Sequence, residues 1–272
     1  MKEGKPQNVA NIAFAYANLG IGNNFEFFIA LSSDSKCVEG GDNQNICNVL
    51  WSFACLGLVS NSSYHAIINS LWKIAISLPA SSFTKEGLLQ IRQFYTSVMV
   101  EGGGLQLNDI SPSILLKIIT IDSIITDSKA HNKVSLLLTE MGWEHKNEVS
   151  PFIGNDKADI FSSRVDHFMA IDIANVKDRI AIEVDGPSHF LGFGNSGKVV
   201  NGKTKMKTRL LKNLGWRVAR IPWLEWQRLE GSMGGSWKEK QVEYLKWKVS
   251  EVQYDEAGER RRRRRKERIY AK

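Results

Sequence analysis

Ile180 to Phe190 reads IAIEVDGPSHF, and after a Gly- and Lys-rich stretch the chain continues TRLLKNLGWRVARIPWLEW from Thr208 to Trp226. The first segment is an apolar run closed by Asp185-Gly186-Pro187. The second is a helical pattern stopped by Gly215 and followed by another apolar run. Together they predict a strand–loop–helix–strand unit. Glu183 and Asp185 stand two residues apart at the end of the first strand, so their side chains share one face. His189 follows in the turn. Carboxylates paired beside a His can hold a divalent cation or orient a proton. The same residues can also be a fold element, with Asp185 capping the turn and His189 bonding locally.

Working outward, SKAHNKVSLLLTEMGW from Ser128 reads as an amphipathic helix ending at Gly142. EHKNEVSPF and DHFMAIDIA alternate like strands, and RIAIEVDG is apolar enough for a central buried strand. Lys203 to Leu214 is a helix, WRVARIP a strand, and Trp223 to Leu229 and Trp237 to Val249 are helical. The order α-β-β-β-α-β-α describes an α/β core. Gly192 to Gly202, GFGNSGKVVNG, reads as a mobile loop. Its glycines do not open a helix within a βαβ unit as a dinucleotide fingerprint would.

The N-terminal half repeats itself. QNVANIAFAYANLG (Gln7–Gly20) aligns with QNICNVLWSFACLG (Gln44–Gly57) at an offset of 37 residues. Val9, Ile12, Ala13 and Tyr16, and likewise Ile46, Val49, Leu50 and Phe53, recur at helical spacing, with Gly20 and Gly57 at the C-cap. A second apolar helix follows each copy, around Phe25 to Leu31 and Tyr64 to Leu78. A third, divergent pair is expected from about Lys85 to Val100 and from about Ser111 to Ile125. Helix pairs at this period predict an α-solenoid. Gln7, Asn11, Gln44 and Asn48 either line a concave ligand-reading face or bond between repeats. The chain starts at the head of a repeat, so we expect it to be part of a longer protein. The expected architecture is α+β multidomain: helical repeats over 1–127, an α/β domain over 128–250 and an Arg-rich tail over 251–272.

No run of 18 apolar residues exists, which argues against a membrane-spanning helix. The first twenty residues fit neither a secretory signal nor a transit peptide. Cys37, Cys47 and Cys55 lack CxxC spacing and read as reduced thiols. Net charge is +7, and its distribution is uneven. Residues 1–177 carry 13 basic and 17 acidic side chains, residues 178–250 carry 14 and 7, and residues 251–272 carry 9 and 5. A polyanion is the natural partner of such a C-terminal part. Lys203, Lys205, Lys207, Arg209 and Lys212 are candidate phosphate contacts on one helix. The consecutive Arg260, Arg261, Arg262, Arg263, Arg264 and Arg265 are further candidates, since guanidinium groups fork onto phosphates and stack on bases. Trp216 and Trp226 read as packed core, and Trp223 is open to either packing or base stacking.

IAIEVDGPSHF, the cation-bearing TKMKTRLLKNLGW and VARIPWLEW, in that order, resemble the RAP family, an RNA-binding domain abundant in apicomplexans. The lead-in HNKVSLLLTEMGWEHKNEV and IDIA also fits, so the resemblance covers roughly Ser128 to Trp247. The Gln-Asn…Asn…aromatic repeats resemble the octotricopeptide-type and FAST-kinase-like helical repeats that commonly precede RAP domains. The resemblance implies a single-stranded RNA partner, a role in the processing, stability or translation of transcripts in a mitochondrion or chloroplast, and no cofactor for binding. It also implies a fold like a reduced PD-(D/E)XK restriction endonuclease. Carried over, that motif makes Asp172 the first acid and Glu183 the second, a pair that would hold Mg²⁺ in a metal-dependent endoribonuclease, with His189 as base. Asp185 stands where the motif has lysine, and an Asp cannot supply that positive charge.

Overall fold

The computed structural model describes residues 5–21, 25–33, 40–107, 110–121, 128–153, 169–192, 199–230 and 237–253. Its sheet has four strands in the order β1 (Lys146–Val149), β2 (Ile171–Asn175), β3 (Ile180–Asp185) and β4 (Arg217–Pro222). The first three run antiparallel, and β3 and β4 are parallel. A parallel pair needs a crossover, which is helix α8 (Gly202–Asn213) between the two strands. The apolar run of β3 therefore lies inside the sheet, as its near-continuous hydrophobicity predicts.

The two faces of the sheet are covered by different elements. Ile173, Ile180, Ile182, Ala219 and Ile221 pack against Val134 and Leu138 of α7 (Lys129–Glu140), Trp226 of α9 (Trp223–Glu230), and Leu245 and Val249 of α10 (Trp237–Gln253). On the other face Ala174 and Ala181 join Met206, Leu210 and Leu211 of α8 in a core that continues into the N-terminal helices. Burying each leucine, isoleucine, valine or methionine among them contributes about 1.5–3 kcal/mol, and each alanine less. Trp216 belongs to this second core and donates to Pro151 O at 2.9 Å.

The N-terminal helices are α1 (Pro6–Leu19), α2 (Phe25–Ser33), α3 (Asn43–Cys55), α4 (His65–Ser77), α5 (Lys85–Glu101) and α6 (Pro112–Thr120). Their starts are written in the sequence. Asp42, Thr84 and Ser111 each accept a backbone N–H three residues on, and Pro occupies the first turn of α1 and α6. Gly20 ends α1 in the left-handed conformation. Helices α1, α3 and α5 lie side by side, with Phe14 and Trp51 5.1 Å apart between the first two. Gln44 Nε2 donates to Asn48 Oδ1 at 3.0 Å and to Gln90 Oε1 at 2.8 Å, and Gln90 Nε2 donates to Asn48 Oδ1 at 2.9 Å. Gln44 and Asn48 thus bond to the next helix of the row, while Gln7 and Asn11 are exposed on α1. The boundary expected near residue 127, Cys37, and the tail beyond Gln253 lie outside the described residues.

Candidate nucleic-acid interface and the buried charge cluster

Strand registers assemble the acidic residues. Ile173 faces Ile182 across β2 and β3, so continuing the register brings Asp172 opposite Glu183, and Glu183 in turn faces Arg220 on β4. Asp172 Oδ2 accepts the backbone N–H of Val184 at 2.7 Å. Glu183 is 1% exposed, and Lys207 Nζ approaches its Oε2 to 2.6 Å while also donating to Ala170 O at 2.7 Å. Burial pushes the Glu183 carboxyl up to about 7, against the pull of Lys207. Burial also opposes the charge on Lys207, but Glu183 and Asp172 outweigh it and raise the ammonium above its ordinary value.

Asp185 is held from two sides. Arg220 embraces it through Nε, at 2.6 Å from Oδ2, and through a second guanidinium nitrogen on Oδ1. His189 Nδ1 lies 3.1 Å from Asp185 Oδ1 and 3.2 Å from Thr204 Oγ1. Burial holds this imidazole below its usual value, more than Asp185 raises it. The geometry brings Asp172, Glu183, Asp185 and His189 to one end of the sheet. It does not offer Mg²⁺ the open, hydrated position that ion keeps: Glu183 is buried, and one of its oxygens is taken by an ammonium. No step through Mg²⁺ follows from the Asp172/Glu183 pair. Lys207 reaches Glu183 from α8, a pairing between segments that the sequence could not show.

Helix α8, whose five cations are the candidate phosphate contacts, does not present them all on one surface. Lys207 points into the sheet. Arg209 forms a two-pronged pair with Glu101 of α5 and donates to Ala54 O at 2.6 Å and Cys55 O at 3.0 Å, at the C-terminal end of α3. Lys205 Nζ reaches Gly20 O at 3.2 Å, at the end of α1. Cations at helix C-termini satisfy free carbonyls and oppose the negative end of the dipole. Lys203, Lys205 and Lys212 are exposed. Arg260 to Arg265 lie outside the described residues.

A groove of about 420 Å³ opens beside α8, lined by Val200, Lys205, Thr208, Arg209, Lys212, Asn213 and Arg220. Four of these carry positive charge and none carries negative charge; Arg209 and Arg220 are paired with Glu101 and Asp185, which leaves Lys205 and Lys212 as the exposed cations of the groove. Sequence reading missed Arg220, Thr208 and Asn213. The available signal was the period-two pattern of β4, in which Arg220 is the charged position between Ala219 and Ile221. Trp216 and Trp226 are buried as expected, and Trp223 is half-buried.

Comparison with known proteins adds an independent line. The family model for the RAP domain matches residues 182–248, which contain most of β3, all of α8, β4 and α9, and most of α10. A protein of Oryza sativa subsp. japonica named "RAP domain-containing protein, chloroplastic" is 36% identical over 76 residues. That stretch is 28% of this chain and 10% of the rice protein. The likeness to the RAP family read from IAIEVDGPSHF and VARIPWLEW is therefore shown for this segment.

Proposed function

We propose that this chain binds RNA in an organelle, with the groove beside α8 and β4 gripping the sugar–phosphate backbone. The observation that carries the reading is the cationic groove lying within the segment that matches the RAP domain. Lys205 and Lys212 supply exposed charge, Thr208 and Asn213 add hydrogen-bonding groups, and Arg209 and Arg220 are fixed by their partners. Phosphate contacts of this kind position a chain on nucleic acid without reading its sequence. The row of α1, α3 and α5, read as the start of an α-solenoid, would choose the single-stranded segment, and the Arg-rich tail would add contact. The organelle assignment is supported by the rice protein, whose name places it in the chloroplast, and a mitochondrial site fits equally. Among the described residues no helix is long and apolar enough to cross a membrane.

Binding is favoured over cleavage because Glu183, the second acid of the endonuclease-like reading, is buried against Lys207, and His189, its base, lies against the buried Asp185. The test is the salt dependence of affinity for a labelled single-stranded RNA. Replacing Lys205 and Lys212 by Gln lowers the slope of log K against log salt by about 1.4. An unchanged slope in a folded double variant removes the groove from the interface. Incubating the same RNA with the chain, with Mg²⁺ or with EDTA, leaves it intact if the chain binds without cutting.

A further inference from the structure

Strands β1 and β2 pair with Asn147 opposite Ile173 and Val149 opposite Ile171, and the register between these pairs brings Glu148, whose φ is 51°, alongside Asp172. Like charges in that position repel. His131, in the first turn of α7 and 6% exposed, closes the group: its Nδ1 lies 3.7 Å from Glu148 Oε1. One ligand atom each from His131, Glu148 and Asp172 fall within 4.8 Å of one another. The three residues come from a helix and two strands, and only the fold brings them together.

A second observation points to a ligand at the same place. Glu183, opposite Asp172 on its other side, is 1% exposed, and its Oε1 has no hydrogen-bond partner among the described residues. A buried carboxylate oxygen left without a donor is costly, on the order of 1–3 kcal/mol. A water carried on an ion beside Asp172 would supply that donor.

We propose that His131, Glu148 and Asp172 bind a divalent transition-metal cation of the Zn²⁺ or Mn²⁺ class. The donor set is one imidazole nitrogen and two carboxylate oxygens, leaving a coordination position for water. An imidazole ligand turns the preference from Mg²⁺ and Ca²⁺ toward first-row transition metals. Normal bond lengths near 2.0–2.2 Å require the ligand atoms to draw inward by on the order of 1 Å, within the reach of side-chain rotation. The set shares Asp172 with the Mg²⁺ pair implied by resemblance, but replaces the lysine-bound Glu183 with His131 and Glu148. Glu183 becomes an acceptor for the metal-bound water. The site stands independently of RNA binding.

The experiment uses the full chain stripped with a chelator and titrated with ZnCl₂ against a chromophoric competitor. One Zn²⁺ binds per chain, and His131→Ala or Glu148→Gln weakens binding by at least about tenfold. Circular dichroism checks that each variant folds. Titration of the unaltered chain with Co²⁺ decides the matter even if a variant does not fold. Visible d–d absorption without a thiolate charge-transfer band indicates the nitrogen and oxygen ligands. Absence of a one-to-one site, undiminished binding in both folded variants, or a thiolate band each overturns the proposal.

Discussion

At the scale of single residues, the most consequential contact is Lys207 on Glu183, a charge pair with one member 1% and the other 13% exposed. Taking two charges out of water costs more than a surface pair returns, so the pair contributes by mutual dependence. Lys207→Met and Glu183→Gln each destabilise the chain by on the order of 3 kcal/mol, and the double variant loses less than their sum. Urea unfolding of the four proteins measures this cycle, and strict additivity would sever the link. The burial of Glu183, against the pull of Lys207, sets a pH dependence. Glu183 titrates near 7 in the folded chain and at the ordinary 4.5 when unfolded, with burial as the main cause. Between these values the native state holds a proton that the unfolded state has released. This group therefore stabilises the fold at low pH, and the contribution is lost as pH rises through 7. The stability of the unaltered chain minus that of Glu183→Gln should be larger at pH 5 than at pH 8; equal differences would contradict the shift.

At the scale of elements, α8 explains why a correct sequence pattern led to an incomplete surface. Lys203, Lys205, Lys207 and Arg209 stand two apart in sequence and read as one basic stretch. On a helix, positions two apart point in different directions, and positions four apart share a face. Lys205 and Arg209 therefore form one pair, a turn apart, and they meet the ends of α1 and α3. The 37-residue repeat places Gly20 and Gly57 at corresponding helix ends. A Cβ at Gly20 would lie 2.7 Å from Lys205 Nζ, and one at Gly57 would lie 3.2 Å from Arg209 Cζ. The repeat and the basic helix are thus complementary parts of one interface, which neither periodicity could reveal alone. Helix and strand identities were legible because caps, alternation and Gly stops are local. The destination of each cation was not, because Glu101, Gly20 and Glu183 lie far away in sequence. The approach of α8 is also close. A Cβ at Gly202 would stand 1.7 Å from Ala17 O and 2.9 Å from Cys55 Sγ. Gly202→Ala should therefore cost about 2–3 kcal/mol and lower the melting temperature by about 4–10 °C, read by circular dichroism. An unchanged melting temperature would mean that α8 does not seat against α1.

At the scale of the whole molecule, the question is whether the helices and the sheet stand apart. The sequence changes character near Ser128, from a 37-residue helical repeat to strand alternation, and composition alone invites two units. The buried core crosses that change. Phe53 and Leu58 share one cluster with Phe94, Met206, Leu210, Leu211, Ala181 and Trp216. Helix α8 touches α1, α3 and α5 on one side and β4 on the other. Separating the parts would expose Met206, Leu210 and Leu211 and leave Glu101 without Arg209. Cooperativity should follow from this continuity. Urea unfolding of the full chain, followed by tryptophan fluorescence and by far-UV circular dichroism, is expected to give coincident single transitions. The fluorescence reports both parts, since Trp51 and Trp72 lie in the helices and Trp216 and Trp226 beside the sheet. An earlier helical transition, with Trp216 and Trp226 still protected, would show that the core divides at α8 and that the interface there is only a docking contact.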